Sequence, residues 1–123
     1  MGITFINATV RNPDKPKKEE EVEFLVDSGA IFSVVDSRIL EKLDIKPNRE
    51  QEFTLADGTK VKREVGNAIF KINGTIGASP VIFGKKGDSN LFGALTLEAL
   101  ALILDPFKRE LRPMKLWMAK IIS

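Results

Sequence analysis

Residues 24–30 read Phe-Leu-Val-Asp-Ser-Gly-Ala, with apolar residues on both sides of the polar centre. Alternating apolar residues from Val22 to Val26 predict a strand that leads into Asp27, and the run 31–35 predicts a second strand directly after the turn. A carboxylate between two buried strands costs several kcal/mol to desolvate unless hydrogen-bond donors or a partner compensate for the lost water. We therefore interpret Asp27 as a functional carboxylate.

Asp-Ser-Gly is also an ordinary turn sequence. Asp and Ser side chains hydrogen bond to their own backbone, and Gly adopts dihedral angles that other residues avoid. The tripeptide alone favours this simpler interpretation. The apolar segments on both sides favour a functional site, since a surface turn does not need two buried strands beside it, and the decision depends on the rest of the chain.

The composition is that of one globular domain, residues 1–123, which is long enough to bury a hydrophobic core. Hydrophobic residues make up 43% of the sequence, and 19 Lys and Arg nearly balance 17 Asp and Glu. The net charge of +2 is too small to indicate nucleic-acid binding, and no run of about 18 apolar residues is present to span a membrane. The N-terminus lacks the basic and apolar regions of a signal peptide, so we expect a cytoplasmic protein.

Three residue types are missing altogether, since the sequence contains no Cys, no His and no Tyr. It therefore cannot build a Ser-His-Asp or Cys-His nucleophile system, a disulfide or a usual zinc site. Any acid–base chemistry falls to carboxylates or lysines, and we expect neither a metal ion nor another cofactor.

Short strands and turns alternate along the whole chain, with two short helices among them. The expected strands cover residues 3–10, 17–26, 31–35, 52–55, 60–65, 67–72, 76–83, 103–106 and 110–113, and the expected helices begin at the caps Asp36 and Thr96. Two alternating arms around Asp57-Gly58 form the strongest hairpin signal. The pattern predicts a mainly-β fold, a closed or nearly closed barrel with one or two short helices.

The order of these segments resembles that of a retropepsin-type aspartic protease, in particular the single-domain cellular members found in microbes. The resemblance extends over residues 22–111 and rests on order and spacing, since each segment alone is common. Four segments carry it: Phe24-Leu25-Val26-Asp27-Ser28-Gly29-Ala30, Thr54-Leu55-Ala56-Asp57-Gly58-Thr59, Leu91-Phe92-Gly93 and Leu97-Glu98-Ala99-Leu100.

The resemblance implies that Asp27 is the catalytic carboxylate of the site. Ser28 and Gly29 would complete its loop, and the hydroxyl of Ser28 would bond across to the other loop of the active site. The cleft and flap would contain Ala30, Ala56, Asp57, Gly58, Leu91, Phe92 and Gly93. In this arrangement residues 91–93 thread beneath the catalytic loop, and the hairpin around Asp57 closes over the substrate.

Two positions depart from viral members of this family. Those proteins often carry an acidic residue two positions after the catalytic Gly and an Arg after the later Gly, where this chain has Ile31 and Ala94. Both charges are absent together, as burial requires, because the loss of one alone would leave a buried charge without a partner. The dimer or cleft is therefore expected to depend more on packing than on ion pairs. The acidic Asp57 at the flap tip is a further departure.

Hydrolysis of this type uses two carboxylates that share one proton, whereas this sequence contains a single Asp-Ser-Gly. We therefore expect a homodimer in which Asp27 meets its own counterpart across a two-fold axis. The resemblance implies that the two ends of the chain interleave at the interface, for which Ile3, Phe5 and residues 116–122 are candidates. The apolar tail residues support this: Leu116, Trp117, Met118, Ile121 and Ile122. Alternatively, the tail packs on its own barrel or forms a helix on its outside. The expected function is an aspartic endopeptidase that cleaves extended peptides or unfolded proteins.

Other interpretations remain beside this one. The main alternative is a protease-like module that binds peptides or dimerises with little or no turnover. A nucleic-acid-binding barrel is disfavoured, because the net charge is low and no platform of aromatic and basic residues is present. Among the other acids, Asp36 is explained as a helix cap, Asp88 as a loop residue, Asp105 as a turn residue, and Asp57 by a type I′ turn as well as by a site role.

Overall fold

The computed structural model describes residues 3–115, which form nine β-strands and two short α-helices. The strands are β1 (Phe5–Arg11), β2 (Glu19–Val26), β3 (Ser33–Asp36), β4 (Arg49–Thr54), β5 (Lys60–Ile72), β6 (Thr75–Gly84), β7 (Leu91–Phe92), β8 (Leu102–Asp105) and β9 (Glu110–Pro113). The helices are α1 (Ser37–Lys42) and α2 (Ala94–Ala99). The predicted mainly-β fold is confirmed. Neither of these two helices has the length and apolar character that crossing a bilayer requires.

Seven strands form one sheet in the order β1-β2-β7-β3-β6-β5-β4, and a further pairing between β1 and β5 joins six of them into a ring. Strand β4 extends from β5 outside the ring, so β4 and the first half of β5 form a hairpin. Strands β8 and β9 form a separate two-stranded sheet. Closing the ring pairs strands that would otherwise leave open edges.

Three phenylalanines from different strands form the centre of the hydrophobic core. Phe24, Phe70 and Phe92 are fully buried, and their ring centroids lie 5.4–6.1 Å apart in tilted or edge-to-face arrangements. Phe24 lies on β2 and Phe92 on β7, close to the Asp27 turn and to Gly93 respectively. The core therefore fixes the two segments that meet at the predicted site.

The short strand β7 lies between the two strands that flank the Asp27 turn. Leu91 pairs in parallel with Leu25 of β2 and in antiparallel with Val34 of β3. Strand β3 in turn runs parallel to β6. The chain therefore returns beneath the turn that connects β2 to β3.

The break that the sequence predicts between residues 65 and 67 is wrong, since β5 continues through Gly66. A Cβ atom at this position would lie 2.9 Å from the carbonyl oxygen of Lys46 and 3.1 Å from the ring of Phe83. The glycine thus permits close packing inside a continuous strand and does not form a turn.

Candidate active site

The turn after β2 is held by hydrogen bonds at Asp27. Its N–H donates to the carbonyl oxygen of Phe92 (3.0 Å), and its carbonyl accepts a bond from the N–H of Ala30 (3.1 Å). The N–H of Gly29 donates to Oδ1 of the Asp27 carboxylate (3.0 Å). Oδ2 has no hydrogen-bond partner within residues 3–115. Asp27 therefore stabilises its own turn through Oδ1, and its second carboxylate oxygen, Oδ2, is available for another partner.

The Asp27 carboxylate is not desolvated within one chain, which corrects the expectation from the sequence. Strand β3 begins only at Ser33, so residues 27–32 form a surface loop in which Asp27, Ser28 and Gly29 are exposed and Ala30 is half-buried. Ile31 in the same loop is 65% exposed. The exposed carboxylate of Asp27 thus lies in the same loop as a large exposed apolar side chain.

Residues 91–93 run beneath this loop, which is the arrangement that the resemblance to retropepsins implies. The N–H of Ala94 donates to the carbonyl of Ala30 (2.8 Å), which ties the loop to the start of α2. A Cβ atom on Gly93 would lie 2.6 Å from the carbonyl carbon and oxygen of Phe32. Only glycine allows the two backbones to approach this closely.

Three buried hydroxyl groups connect this floor to the sheet, and the sequence analysis did not identify them. Oγ1 of Thr96 lies 2.5 Å from Oγ of Ser33 and 2.9 Å from Oγ of Ser79. The N–H of Gly93 donates to Oγ of Ser33 (2.9 Å). Ser33 and Thr96 are fully buried and Ser79 nearly so, and every buried side-chain polar atom of the described chain has a partner. The cluster therefore holds Gly93 in place, and it does so without leaving any of its buried hydroxyl groups unpaired.

The predicted role of Thr96 as a helix cap is wrong. Helix α2 begins at Ala94 with Gly93 as its N-cap, and Thr96 lies inside the helix. The available signal was a hydroxyl residue within an otherwise apolar run: Ser33 interrupts residues 31–35, and Thr96 interrupts residues 94–97. Such residues pair with each other when the fold buries both.

The β4–β5 hairpin ends in a three-residue tip, Ala56, Asp57 and Gly58, all exposed. The N–H of Leu55 donates to the carbonyl of Thr59 (2.7 Å), and the N–H of Gly58 donates to the carbonyl of Leu55 (2.9 Å). Only Gly58 has a positive φ (88°), whereas a type I′ turn needs two such residues. The type I′ alternative is therefore wrong, although the hairpin itself lies where the sequence predicts it.

Asp57 stabilises the tip of this hairpin. Its Oδ1 accepts a hydrogen bond from the N–H of Thr59 (2.9 Å). Hydrogen bonding from Thr59 lowers the pKa of the Asp57 carboxyl, so this group stays ionised in mild acid. The acidic residue at the tip thus has a local structural role.

Phe32 and Phe53 connect the hairpin to the Asp27 loop. Their ring centroids lie 5.8 Å apart and their planes make an angle of 89°, an edge-to-face contact between two half-buried residues. Phe32 ends the loop and Phe53 lies on β4. The sequence analysis did not include either residue in the site, because a contact between separate elements produces no local pattern.

Asp36 and Asp105 have structural roles, as the sequence predicts. Oδ1 of Asp36 accepts a bond from the N–H of Arg38 (2.9 Å) at the start of α1. Oδ1 of Asp105 accepts bonds from the N–H groups of Phe107 (3.0 Å) and Lys108 (3.1 Å). Hydrogen bonding lowers the pKa of both carboxyls, with the Arg38 side chain the largest cause at Asp36 and the Lys108 N–H the largest at Asp105.

Other candidate sites on the described chain are weak. Residues 3–115 contain no group of three or more acidic side chains placed to hold a metal ion. An open cavity of about 400 Å³ is lined by residues that include Asn12, Lys15, Asp44 and Lys46. None of the predicted site residues lines it, and Lys15 and Asp44 pair with each other at 3.3 Å. The Asp27 loop is therefore the best supported site.

Solved structures of proteases show the same fold. The solution structure of simian foamy virus (mac) protease matches with a TM-score of 0.54 and 19% sequence identity, covering 77% of this chain and 92% of that one. The crystal structure of the retroviral protease-like domain of Ddi1 from Leishmania major matches with a TM-score of 0.59 and 18% identity, covering 92% of this chain and 89% of that one.

Comparison with protein families, and not with individual curated proteins, identifies the family of this chain. Comparison with curated proteins produced no significant match. Residues 7–95 match the family described as aspartyl protease, and this range includes the Asp27 loop, the hairpin and Gly93. Since the match covers most of the sequence and the fold agrees with it, the chain belongs to the aspartyl protease family.

Proposed function

We propose that this chain is an aspartic endopeptidase that acts as a homodimer, in which the Asp27 carboxylates of two copies activate water for peptide-bond hydrolysis. One observation carries the proposal: Asp27 presents a free carboxylate oxygen on an exposed loop bordered by apolar side chains. A single chain leaves this surface uncovered, and a second copy placed on a two-fold axis would cover it.

The apolar border supports the position of the interface. Ile3, Phe5 and Ile31 are 65%, 60% and 65% exposed. The carbonyl of Thr4 accepts a bond from the N–H of Val26 (2.9 Å), so the beginning of β1 lies beside the Asp27 turn. Large apolar side chains grouped around one polar loop are typical of a protein contact surface. The predicted contribution of residues 116–122 lies outside the described residues.

Ser28 supports the same arrangement. It is exposed, and within residues 3–115 its hydroxyl has no hydrogen-bond partner. In an interface with two-fold symmetry the same loop meets itself, so the Ser28 hydroxyl of each copy would donate to the backbone of the counterpart loop. This would lock the two Asp27 loops at a fixed separation.

The paired loops would work through one shared proton. As is general for aspartic proteases, one carboxylate is ionised and the other protonated, because two like charges in contact oppose joint ionisation. The ionised Asp27 takes a proton from water, whose oxygen attacks the scissile carbonyl carbon, while the protonated Asp27 donates its proton to the carbonyl oxygen. The resulting diol returns one proton to the pair as the C–N bond breaks, and the pair gives one proton to the departing amine. The dyad then again holds a single proton.

The substrate would be an extended peptide held as a strand between the β4–β5 hairpin and the floor of the cleft. The hairpin tip 56–58 would act as a flap, and Ala30 with residues 91–93 would form the floor beside Asp27. The contact between Phe32 of the Asp27 loop and Phe53 of the hairpin would connect these two walls. An unfolded or flexible protein segment fits this geometry, because a folded surface rarely offers a free strand.

The central experiment compares the wild-type chain with Asp27→Asn and with the matched control Asp14→Asn. Asp14 is an exposed acid in the turn between β1 and β2. Each protein is incubated with a denatured protein substrate across acid and neutral pH, and its mass in solution is measured by sedimentation. We expect cleavage in mild acid by the wild type and the control, no cleavage by Asp27→Asn, and a dimer in all three cases.

Two results would overturn the proposal. Equal cleavage by all three proteins would assign the activity to another group or to a contaminant. An absence of cleavage by the wild-type dimer would reject the enzyme, and peptide binding without turnover would then favour the protease-like binding module.

A further inference from the structure

Arg63 and Asp88 form an ion pair between two segments close to the proposed cleft. Nε of Arg63 lies 2.8 Å from Oδ2 of Asp88, and Nη2 lies 3.1 Å from Oδ1, so the guanidinium meets the carboxylate with two parallel bonds. The Arg63 side chain is only 17% exposed, whereas Lys15, Arg38 and Lys42 in other ion pairs are 57%, 87% and 72% exposed. Because the pair is partly buried and is joined by two hydrogen bonds, it is more rigid than an ordinary surface ion pair.

Arg63 lies on the arm of the hairpin, on its inner face. Alternation along β5 places it on the same side as Val61 and the fully buried Val65. Val61 pairs with Phe53, whose ring contacts Phe32 in the Asp27 loop. The guanidinium therefore projects from the side of the hairpin that faces the site.

Asp88 lies in the loop that leads into the floor of the site. Its Oδ2 also accepts a bond from the N–H of Lys85 (2.8 Å), which fixes the loop internally. At the end of this loop, the carbonyl of Asn90 accepts a bond from the N–H of Leu25 (3.0 Å), and its Oδ1 accepts one from the N–H of Asp36 (2.8 Å). The loop is thus attached to both strands that flank the Asp27 turn, and Arg63 attaches the hairpin arm to the loop.

We propose that Arg63 and Asp88 are positioning residues whose ion pair latches the hairpin arm to the loop 85–90, and so sets how closely the hairpin lies over Asp27. The latch is a property of the free chain, while its effect on substrate rests on the proposed function. Without the pair, the hairpin moves more widely, and substrate binding has to order it. The free-energy cost of ordering the hairpin then weakens substrate binding and does not affect the chemical step, so KM rises while kcat changes little.

The first test measures hydrogen–deuterium exchange of residues 53–62 in the substrate-free protein. The variants are Arg63→Gln and Asp88→Asn, and the matched control is Arg38→Gln. Arg38 also forms an ion pair with two hydrogen bonds, to Asp36 at 2.8 and 3.2 Å. These two residues, however, belong to the same short segment, and the Arg38 side chain is 87% exposed. We expect exchange of the hairpin to rise about tenfold in the two latch variants and to stay unchanged in the control. Thermal unfolding of each variant verifies that it is folded.

Unchanged hairpin exchange in both latch variants, or an equal rise in Arg38→Gln, would overturn the latch. This readout needs no catalysis, so it decides the inference even if the chain cleaves nothing.

The second test uses peptide hydrolysis and the conservative variant Arg63→Lys. Lysine keeps the charge but cannot form two parallel bonds to the carboxylate. We expect KM to rise about fivefold to tenfold in Arg63→Gln and less in Arg63→Lys, with kcat within about twofold of the wild type. A fall in kcat at unchanged KM would contradict a role through hairpin position.

Discussion

Gly93 and Ser33 are the residues on which the position of the Asp27 loop depends, although neither touches the carboxylate. Gly93 leaves room for the carbonyl of Phe32, and Ser33 accepts the bond from the Gly93 N–H. The sequence pointed to Gly93 through the resemblance to retropepsins, whose hydrophobic-hydrophobic-glycine segment matches Leu91-Phe92-Gly93. It could not identify Ser33, because the hydroxyl of Ser33 is explained only by Thr96, a residue far along the chain.

Replacement of Ser33 by alanine tests this support. In Ser33→Ala the buried N–H of Gly93 loses its acceptor, so we expect the free energy of unfolding to fall by about 1–3 kcal/mol and activity to fall with it. Ser89→Ala, in an exposed loop, is the control and should change the free energy of unfolding by less than about 0.5 kcal/mol. Urea unfolding at one fixed protein concentration gives both values. Equal, small losses in the two variants would show that the hydroxyl cluster does not support the floor.

At the scale of elements, the sequence predicts what is locally encoded. The hairpin, the cap of α1 at Asp36 and the β8–β9 turn follow from turn residues and alternation, and the structure contains all three. The errors occur where tertiary packing overrides local preference. Gly66 looks like a break but permits contact with Lys46 and Phe83, and Thr96 looks like a cap but faces other hydroxyl groups.

The Arg63–Asp88 contact between the hairpin and its neighbouring loop predicts a specific pH dependence. The hydrogen bond from Arg63 is the largest cause that lowers the pKa of the Asp88 carboxyl, with smaller contributions from the Lys85 N–H and from the charges of Arg63 and Lys85. A lowered pKa means that the folded state binds this proton less readily than the unfolded state, whose Asp titrates near 3.9. The stabilisation is therefore complete above that value and is lost as the pH falls through the lower pKa of the folded chain.

The measurement is the difference in unfolding free energy between wild type and Asp88→Asn as a function of pH. We expect a constant difference from neutral pH to about pH 5 and a decrease below about pH 4. The latch would then stay closed in the mild acid where the proposed enzyme works. Asp14→Asn, which removes an exposed acid elsewhere, controls for the change in net charge. A difference that disappears between neutral pH and about pH 5 would contradict the assigned titration.

At the scale of the whole molecule, the segments of the candidate site are far apart in sequence. The Asp27 loop, the hairpin and residues 91–93 meet because β7 inserts between β2 and β3 and because Phe32 contacts Phe53. The resemblance to retropepsins, which rests on the order of the segments, implies that residues 91–93 insert beneath the Asp27 loop. The aromatic contact, the hydroxyl cluster and the Arg63–Asp88 pair depend on side chains that only the folded chain brings together.

One chain contributes one Asp27, so the proposed enzyme needs two intact copies, and mixing experiments test this directly. Asp27→Asn added to a fixed amount of wild type should form mixed dimers that contain a single carboxylate. If subunits exchange freely, equal amounts should reduce the activity per wild-type chain to about half, and larger excesses should reduce it further. The same additions of Asp14→Asn should raise the total activity, because this variant keeps Asp27. If Asp27→Asn leaves the wild-type activity unchanged after mass spectrometry has shown that mixed dimers form, each chain works alone and the shared dyad is wrong.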